Sequence, residues 1–102
     1  MTFDLIIKPI VFWDVDDAVV YYESQLIGLG KRFYNQILFS FEQIQAKPFK
    51  FSYVKYPVRR YKIIKFPYKI YYIISNNIIF IIGISHAKRS NAFVKNRIKI
   101  VE

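Results

Sequence analysis

The chain reads as a single α+β domain: an N-terminal strand, an antiparallel helical hairpin, a three-strand antiparallel meander, and a short C-terminal tail or helix. Three observations predict it. Apolar residues recur at spacings of three and four through the first half, and the period becomes strand-like in the second. Gly28-Leu29-Gly30 divides the helical half into two. A length of 102 residues, 54% hydrophobic and 20% aromatic, supplies one modest core, so residues 1–102 are one domain.

Phe3 to Lys8 reads as a short strand closed by Pro9. From about Val11, the positions Val11, Val15, Ala18 and Tyr22 mark one face of a helix that ends near Gln25. Asp14, Asp16 and Asp17 lie in its early turns, where negative charge suits the helix dipole. Phe33, Ile37, Phe41 and Ile44 mark the buried face of a second helix, which stops around Lys47-Pro48. Residues 49–57 read as an irregular aromatic and basic connection. Val58 to Phe66 and Tyr68 to Ile74 are strands separated by Pro67. Ser75-Asn76-Asn77 is a hairpin turn, because Asn tolerates positive φ. Ile78 to Ser85 is apolar on both faces, the mark of a buried central strand. Asn91 to Arg97 forms a short last helix, capped by Ser90 or Asn91.

Charge is distributed unevenly. Up to Glu42 the chain has six acids against Lys8, Lys31 and Arg32; between Glu42 and Glu102 it has thirteen Lys and Arg and no acid. The net +9 therefore divides into −3 and +12. A field this one-sided points to a polyanion or an acidic protein segment as partner. A solvated basic face is the plainer account, but Arg59, Arg60, Lys62, Lys65 and Lys69 are packed among Tyr and Ile with no acid to pair with.

Several function classes are excluded. Without cysteine there is no disulfide framework, thiolate metal site or Cys nucleophile, which fits a reducing cytoplasm. The longest uninterrupted apolar run, Ile78 to Ile84, is far short of the ~20 residues that span a bilayer, and the N-terminus lacks the basic start of a signal peptide. A cytoplasmic protein with no membrane partner is expected. The second half lacks carboxylates for a Mg²⁺ or Ca²⁺ site, and the Asp14, Asp16, Asp17 cluster lacks the Gly turn and distal Glu of a calcium loop. No metal and no cofactor are expected. No serine lies in a Gly-x-Ser-x-Gly setting, and no Gly-rich phosphate loop is present.

The chemistry left is metal-free RNA cleavage, which needs a base, an acid and cations for the phosphorane charge. The candidate catalytic residues are Arg60, Lys62, His86 and Arg89. Arg60 and Lys62 share a strand face, being two apart, and His86 follows the central strand with Lys88 and Arg89 behind it. A lone His is more often structural. Tyr68, Tyr71 and Tyr72 can stack on bases, though tyrosine this dense in strands is mostly core or interface. Phe12, Tyr21, Tyr34 and Phe39 cannot all face one small sheet; they form a partner surface or wrap the hairpin.

Tyr21-Tyr22-Glu23-Ser24-Gln25, Gly28-Leu29-Gly30 and Arg32-Phe33 together resemble the first half of the RelE/ParE toxin superfamily. Arg59-Arg60, Lys65-Phe66-Pro67-Tyr68 and Ile70-Tyr71-Tyr72 resemble its second half, and His86-Ala87-Lys88-Arg89 with Asn96-Arg97 resembles its C-terminal signature. The similarity covers about residues 3–97. It implies the toxin of a bacterial type II toxin–antitoxin system, held inactive in a hetero-oligomer by a cognate antitoxin that wraps over the basic surface. The residues expected to meet target or antitoxin are Arg59, Arg60, Lys65, Tyr68, Tyr71, Lys88, Arg89, Phe93 and Arg97. RelE-like members cut mRNA on the ribosome; ParE-like members block DNA gyrase and typically carry a long helical hairpin. This chain has the long hairpin, and Phe93 stands near the C-terminal catalytic position without a hydroxyl. The resemblance therefore favours a ParE-like gyrase inhibitor that is not an enzyme. A ribosome-dependent mRNA endonuclease is the alternative, and an inactive, antitoxin-binding member is the second alternative.

Overall fold

Eight elements follow in the order β1 (Asp4–Ile7), α1 (Ile10–Gln25), α2 (Leu29–Ala46), β2 (Tyr53–Lys55), β3 (Val58–Lys62), β4 (Tyr68–Ser75), β5 (Ile78–His86) and α3 (Asn91–Val101). The computed structural model describes residues 2–89 and 91–101; Ser90, one of the two expected caps of α3, lies outside them. The strands form one sheet in the order β1-β5-β4-β3-β2. β1 runs parallel to β5, with Asp4 opposite Ile78 and Ile7 opposite Ile81. The other pairings are antiparallel. No helix among the described residues is long and apolar enough to cross a membrane.

The helical stripes of the sequence become one side of the core. Val11, Val15 and Ala18 of α1 and Phe33, Ile37 and Ile44 of α2 pack on Tyr61, Ile70, Tyr72, Ile79 and Ile81 of the sheet. Gly28 adopts φ +90° between the helices, where a side chain is strained. Gly30 lets the two helices touch: a Cβ there would lie 2.8 Å from the Val19 carbonyl oxygen. Glu23 closes the turn by accepting the Gly28 and Gly30 N–H groups at 2.9 and 3.0 Å, satisfying donors that the start of α2 leaves open.

α3 covers the other face of the sheet, over Val58, Tyr71 and Ile82, and contributes Val94 to that second core. Two-sided cover explains why β5 is apolar from Ile78 to Ile84. Three boundaries differ from expectation. The 49–57 segment contains β2, a short edge strand whose register on β3 shifts between Tyr53 and Lys55. β3 stops at Lys62 rather than Phe66, because the chain turns at Lys65 (φ +74°) and the Ile63 N–H bonds the Tyr68 carbonyl. α3 continues past Arg97 to Val101, since Ile98 and Val101 still find apolar cover.

Tyr72 gives the fold an alkaline limit. It is fully buried, its hydroxyl donates to the Pro48 carbonyl at 2.7 Å, and burial pushes its pKa up to about 12. The folded pKa is raised, so the stabilisation is complete below the unfolded value near 10 and is lost as pH rises toward 12. Tyr72→Phe is expected to be about 1–3 kcal/mol less stable at neutral pH, because Pro48 loses its donor. Between about pH 10 and 12 wild type should lose about 2–3 kcal/mol more than the variant. Urea titrations of both proteins across that range measure this; a constant gap would remove the assignment to Tyr72.

Candidate functional site

The basic surface begins with strand alternation. Arg60 and Lys62 point to the α3 side of the sheet, and their cross-strand partners on β4 are Tyr71 and Lys69. Lys62 thus stands directly opposite Lys69, a like-charge pair that disfavours the sheet. Partial burial, then Arg60 and Lys62, hold the Lys69 amine below the usual lysine range. Beside them lies a crevice of about 310 Å³ lined by Lys50, Phe51, Ser52, Arg60, Tyr61 and Lys62. Clustered ammonium and guanidinium groups of this kind suit phosphate or carboxylate oxygens. Their cross-strand meeting depends on register, so Lys69 and Lys50 escaped the choice of site residues; the only sequence signal was membership of the acid-free run.

His86 does not join this cluster. It is paired with Tyr68, whose ring packs against Phe33 and Tyr22 on the hairpin side, and the His86 and Tyr68 rings meet edge-on at 5.4 Å. His86 Nδ1 accepts the Lys88 N–H at 3.2 Å, so the neutral ring carries its proton on Nε2. Asp17 and Tyr21 of α1, Tyr68, His86 and Arg89 line a crevice of about 230 Å³. Burial and then Tyr21 push the Tyr68 hydroxyl up, against a smaller opposing pull from Arg89. Arg89 also lines a neighbouring crevice of about 390 Å³ with Lys88, Asn91, Phe93 and Asn96. The four candidate catalytic residues are therefore not brought together: Arg60 and Lys62 lie on the α3 side of the sheet, His86 on the hairpin side, and Arg89 in the turn after β5, lining crevices beside both His86 and α3.

Other expected contact residues are engaged within the protein. Arg97 is buried and forms a two-pronged ion pair with Asp14, at 2.6 and 2.9 Å, while also donating to the Ile82 carbonyl at 3.0 Å. Its charge is spent on Asp14 and is not offered to a partner. Arg59 donates to the carbonyls of Phe51 (2.6 Å) and Phe49 (3.3 Å) and to the Tyr53 hydroxyl (3.0 Å), and lies over the Tyr53 ring. It pins the segment that leads into β2. Tyr71 and Tyr72 are fully buried, so neither provides a platform for bases. Phe93 packs over Gly83, where a Cβ would come within 2.7 Å of its ring, and against Tyr71 and Arg97. Its partly exposed edge borders the Lys88–Arg89 crevice. Lys65 and Lys88 are exposed. Asp14, read from sequence as a dipole-suited surface acid, also accepts the Ile84 N–H at 3.0 Å. Among the described residues no group of three or more His, Asp or Glu is placed to hold a metal ion.

No protein-family model and no curated protein sequence matches the chain. Solved structures do. A chain of the chromosomal ParDE toxin–antitoxin system from P. aeruginosa matches with a TM-score of 0.72 at 17% identity, over 83% of this chain and 96% of that one. The E. coli toxin RelE, an arginine-to-alanine double mutant in the free state, matches with a TM-score of 0.61 at 11% identity over 100% of both. By its architecture the chain has the RelE/ParE toxin fold.

Proposed function

We propose that this chain is the toxin of a type II toxin–antitoxin module, that it arrests growth as a ParE-like inhibitor of DNA gyrase, and that a cognate antitoxin neutralises it. One observation carries the proposal: on a RelE/ParE fold, Arg60, Lys62 and Lys69 converge on one sheet face with no acid in their sequence neighbourhood. An acidic antitoxin segment lying there would satisfy these charges and block the surface at once. The toxin and antitoxin would form a hetero-oligomer. The ParE-like choice is supported by the higher TM-score to the ParDE chain, by the long hairpin, and by the residues lining the Arg60–Lys62 crevice, which include neither a carboxylic acid nor an imidazole to protonate a leaving oxygen.

A second reading has its own observation. Lys69 stands beside Arg60 and Lys62 on one face, and three clustered cations suit the charge of a phosphorane formed in RNA cleavage. That is a metal-independent, RelE-like cleavage on the ribosome. The purified protein added to gyrase with supercoiled plasmid, and separately to translating ribosomes, separates the two. Blocked supercoiling or trapped cleaved plasmid with intact mRNA is the expected result. Codon-phased cuts with gyrase unaffected would replace it by the second reading, and no effect on either, with no growth arrest, would leave only an antitoxin-binding module.

A further inference from the structure

The two edges of the sheet differ. β2 is blunted: it has three residues, its register shifts, and Lys55 ends it, the usual defences of an edge strand. β1 is open along its outer side. The Asp4 and Lys8 N–H groups bond the Asn77 and Ile81 carbonyls, each at 3.0 Å. Alternation in the parallel ladder therefore turns the N–H and C=O groups of Leu5 and Ile7 away from β5, along the free edge. The open strip is closed at both ends. The Phe3 carbonyl is already held by the Gln45 amide at 2.6 Å, and Pro9 has no N–H. Asp4, Ile6 and Lys8 project to the α3 side, where Lys8 Nζ lies 5.0 Å from the centre of the Phe80 ring and Ile6 is 43% exposed. The ion pair among the described residues is Asp14–Arg97, so neither Asp4 nor Lys8 has a counter-ion among them.

We infer that β1 is a self-complementary edge, which pairs antiparallel with β1 of a second copy about a two-fold axis at Ile6. In that register Leu5 of each copy exchanges both ladder hydrogen bonds with Ile7 of the other. Ile6 meets Ile6, and Asp4 stands opposite Lys8 in the closer, non-hydrogen-bonded positions, where opposite charges stabilise a sheet. The neighbouring two-fold registers fail. An axis at Leu5 sets Ile7 against Phe3, whose carbonyl is taken, and an axis at Ile7 sets Leu5 against Pro9, which cannot donate. Each of them also sets a charge, Asp4 or Lys8, against Ile6. Lysine on an edge generally keeps other strands away. Lys8 accepts a strand with an acid four residues upstream, and β1 itself carries that acid as Asp4. The result is one continuous sheet across two copies. It leaves Arg60, Lys62 and Lys69 open, because β3 and β4 lie beyond β5 from the paired edge.

A strip this short buries little surface, so a weak, reversible dimer is expected in sedimentation equilibrium of the full chain between about 10 μM and about 1 mM. Asp4→Lys alone and Lys8→Asp alone each set like charges opposite one another on both sides of the axis, and each should weaken the dimer about tenfold. Asp4→Lys/Lys8→Asp restores opposite charges and should bring the affinity back to within about threefold of wild type. Both sites lie outside the buried core, and circular dichroism checks that each variant folds. Over the same concentrations the Leu5 and Ile7 amides should gain protection from hydrogen exchange, whereas the Ile6 amide, turned toward β5, should change little. A chain that stays monomeric throughout would overturn the inference and leave the edge to a foreign strand. A double swap no better than the single variants would overturn the register. A dimer whose Leu5 and Ile7 amides still exchange freely would assign self-association to another face and overturn it equally.

Discussion

Arg97→Ala is expected to lower stability by about 3–5 kcal/mol, the usual consequence of leaving one half of a buried ion pair alone. For a domain of this size that is a fall of at least about 12 °C in Tm. The two side chains are only 9 and 12% exposed, and they join elements at opposite ends of the chain: Asp14 on α1 and Arg97 on α3. Each also satisfies the backbone of β5 between them, Arg97 through the Ile82 carbonyl and Asp14 through the Ile84 N–H. Asp14→Ala should be comparably severe, because it strands the guanidinium under α3. Asp14→Leu/Arg97→Met, which removes both charges and keeps most of the volume, should recover much of the loss. Urea melts of wild type, the two alanine variants and Asp14→Ala/Arg97→Ala complete a double-mutant cycle, with the Leu/Met variant melted alongside. Single variants that each cost under about 1 kcal/mol, or that simply add in the double, would show the pair to be a solvated contact rather than the tie between the layers.

This tie also marks the limit of what the sequence discloses. Val11, Val15 and Ala18, and Phe33, Ile37 and Ile44, were legible because a helix repeats its buried face every three or four residues whatever it packs against. Gly28 and Asn76 were legible because positive φ restricts residue choice locally, and both adopt it. β5 announced its two covered faces by being apolar from Ile78 to Ile84. Pairings between distant residues leave no such trace. Asp14 sits in the first half of α1, where a dipole-suited acid is ordinary, so its bond to an arginine on the last helix is invisible in the periodicity. The surplus of cations was equally plain, but a surplus does not say which members are free. Arg59 and Arg97 turned out to hold loop and helix, whereas Lys69 entered the cluster because register sets it opposite Lys62. β2 was missed because three residues with a shifted register have no repeat to detect.

Reversing Arg60, Lys62 and Lys69 together to Glu is expected to abolish both growth arrest and capture of an acidic antitoxin, with folding retained, since the three side chains lie outside both core clusters. The graded variants carry more information than the triple one. If the face only binds, each exposed cation contributes about 0.2–1 kcal/mol, so Lys62→Ala or Lys69→Ala alone should weaken antitoxin binding a few-fold, and raising salt should mimic the substitution. If the face cleaves RNA, one group is worth roughly 10²–10³ in rate, so Lys69→Ala alone should silence the protein while antitoxin affinity barely moves. Capture affinity and mRNA cleavage measured on the same single variants therefore decide between a charged surface and a catalytic one. Full activity in the triple variant would leave neither account standing and would shift attention to the Lys88–Arg89 crevice at the start of α3.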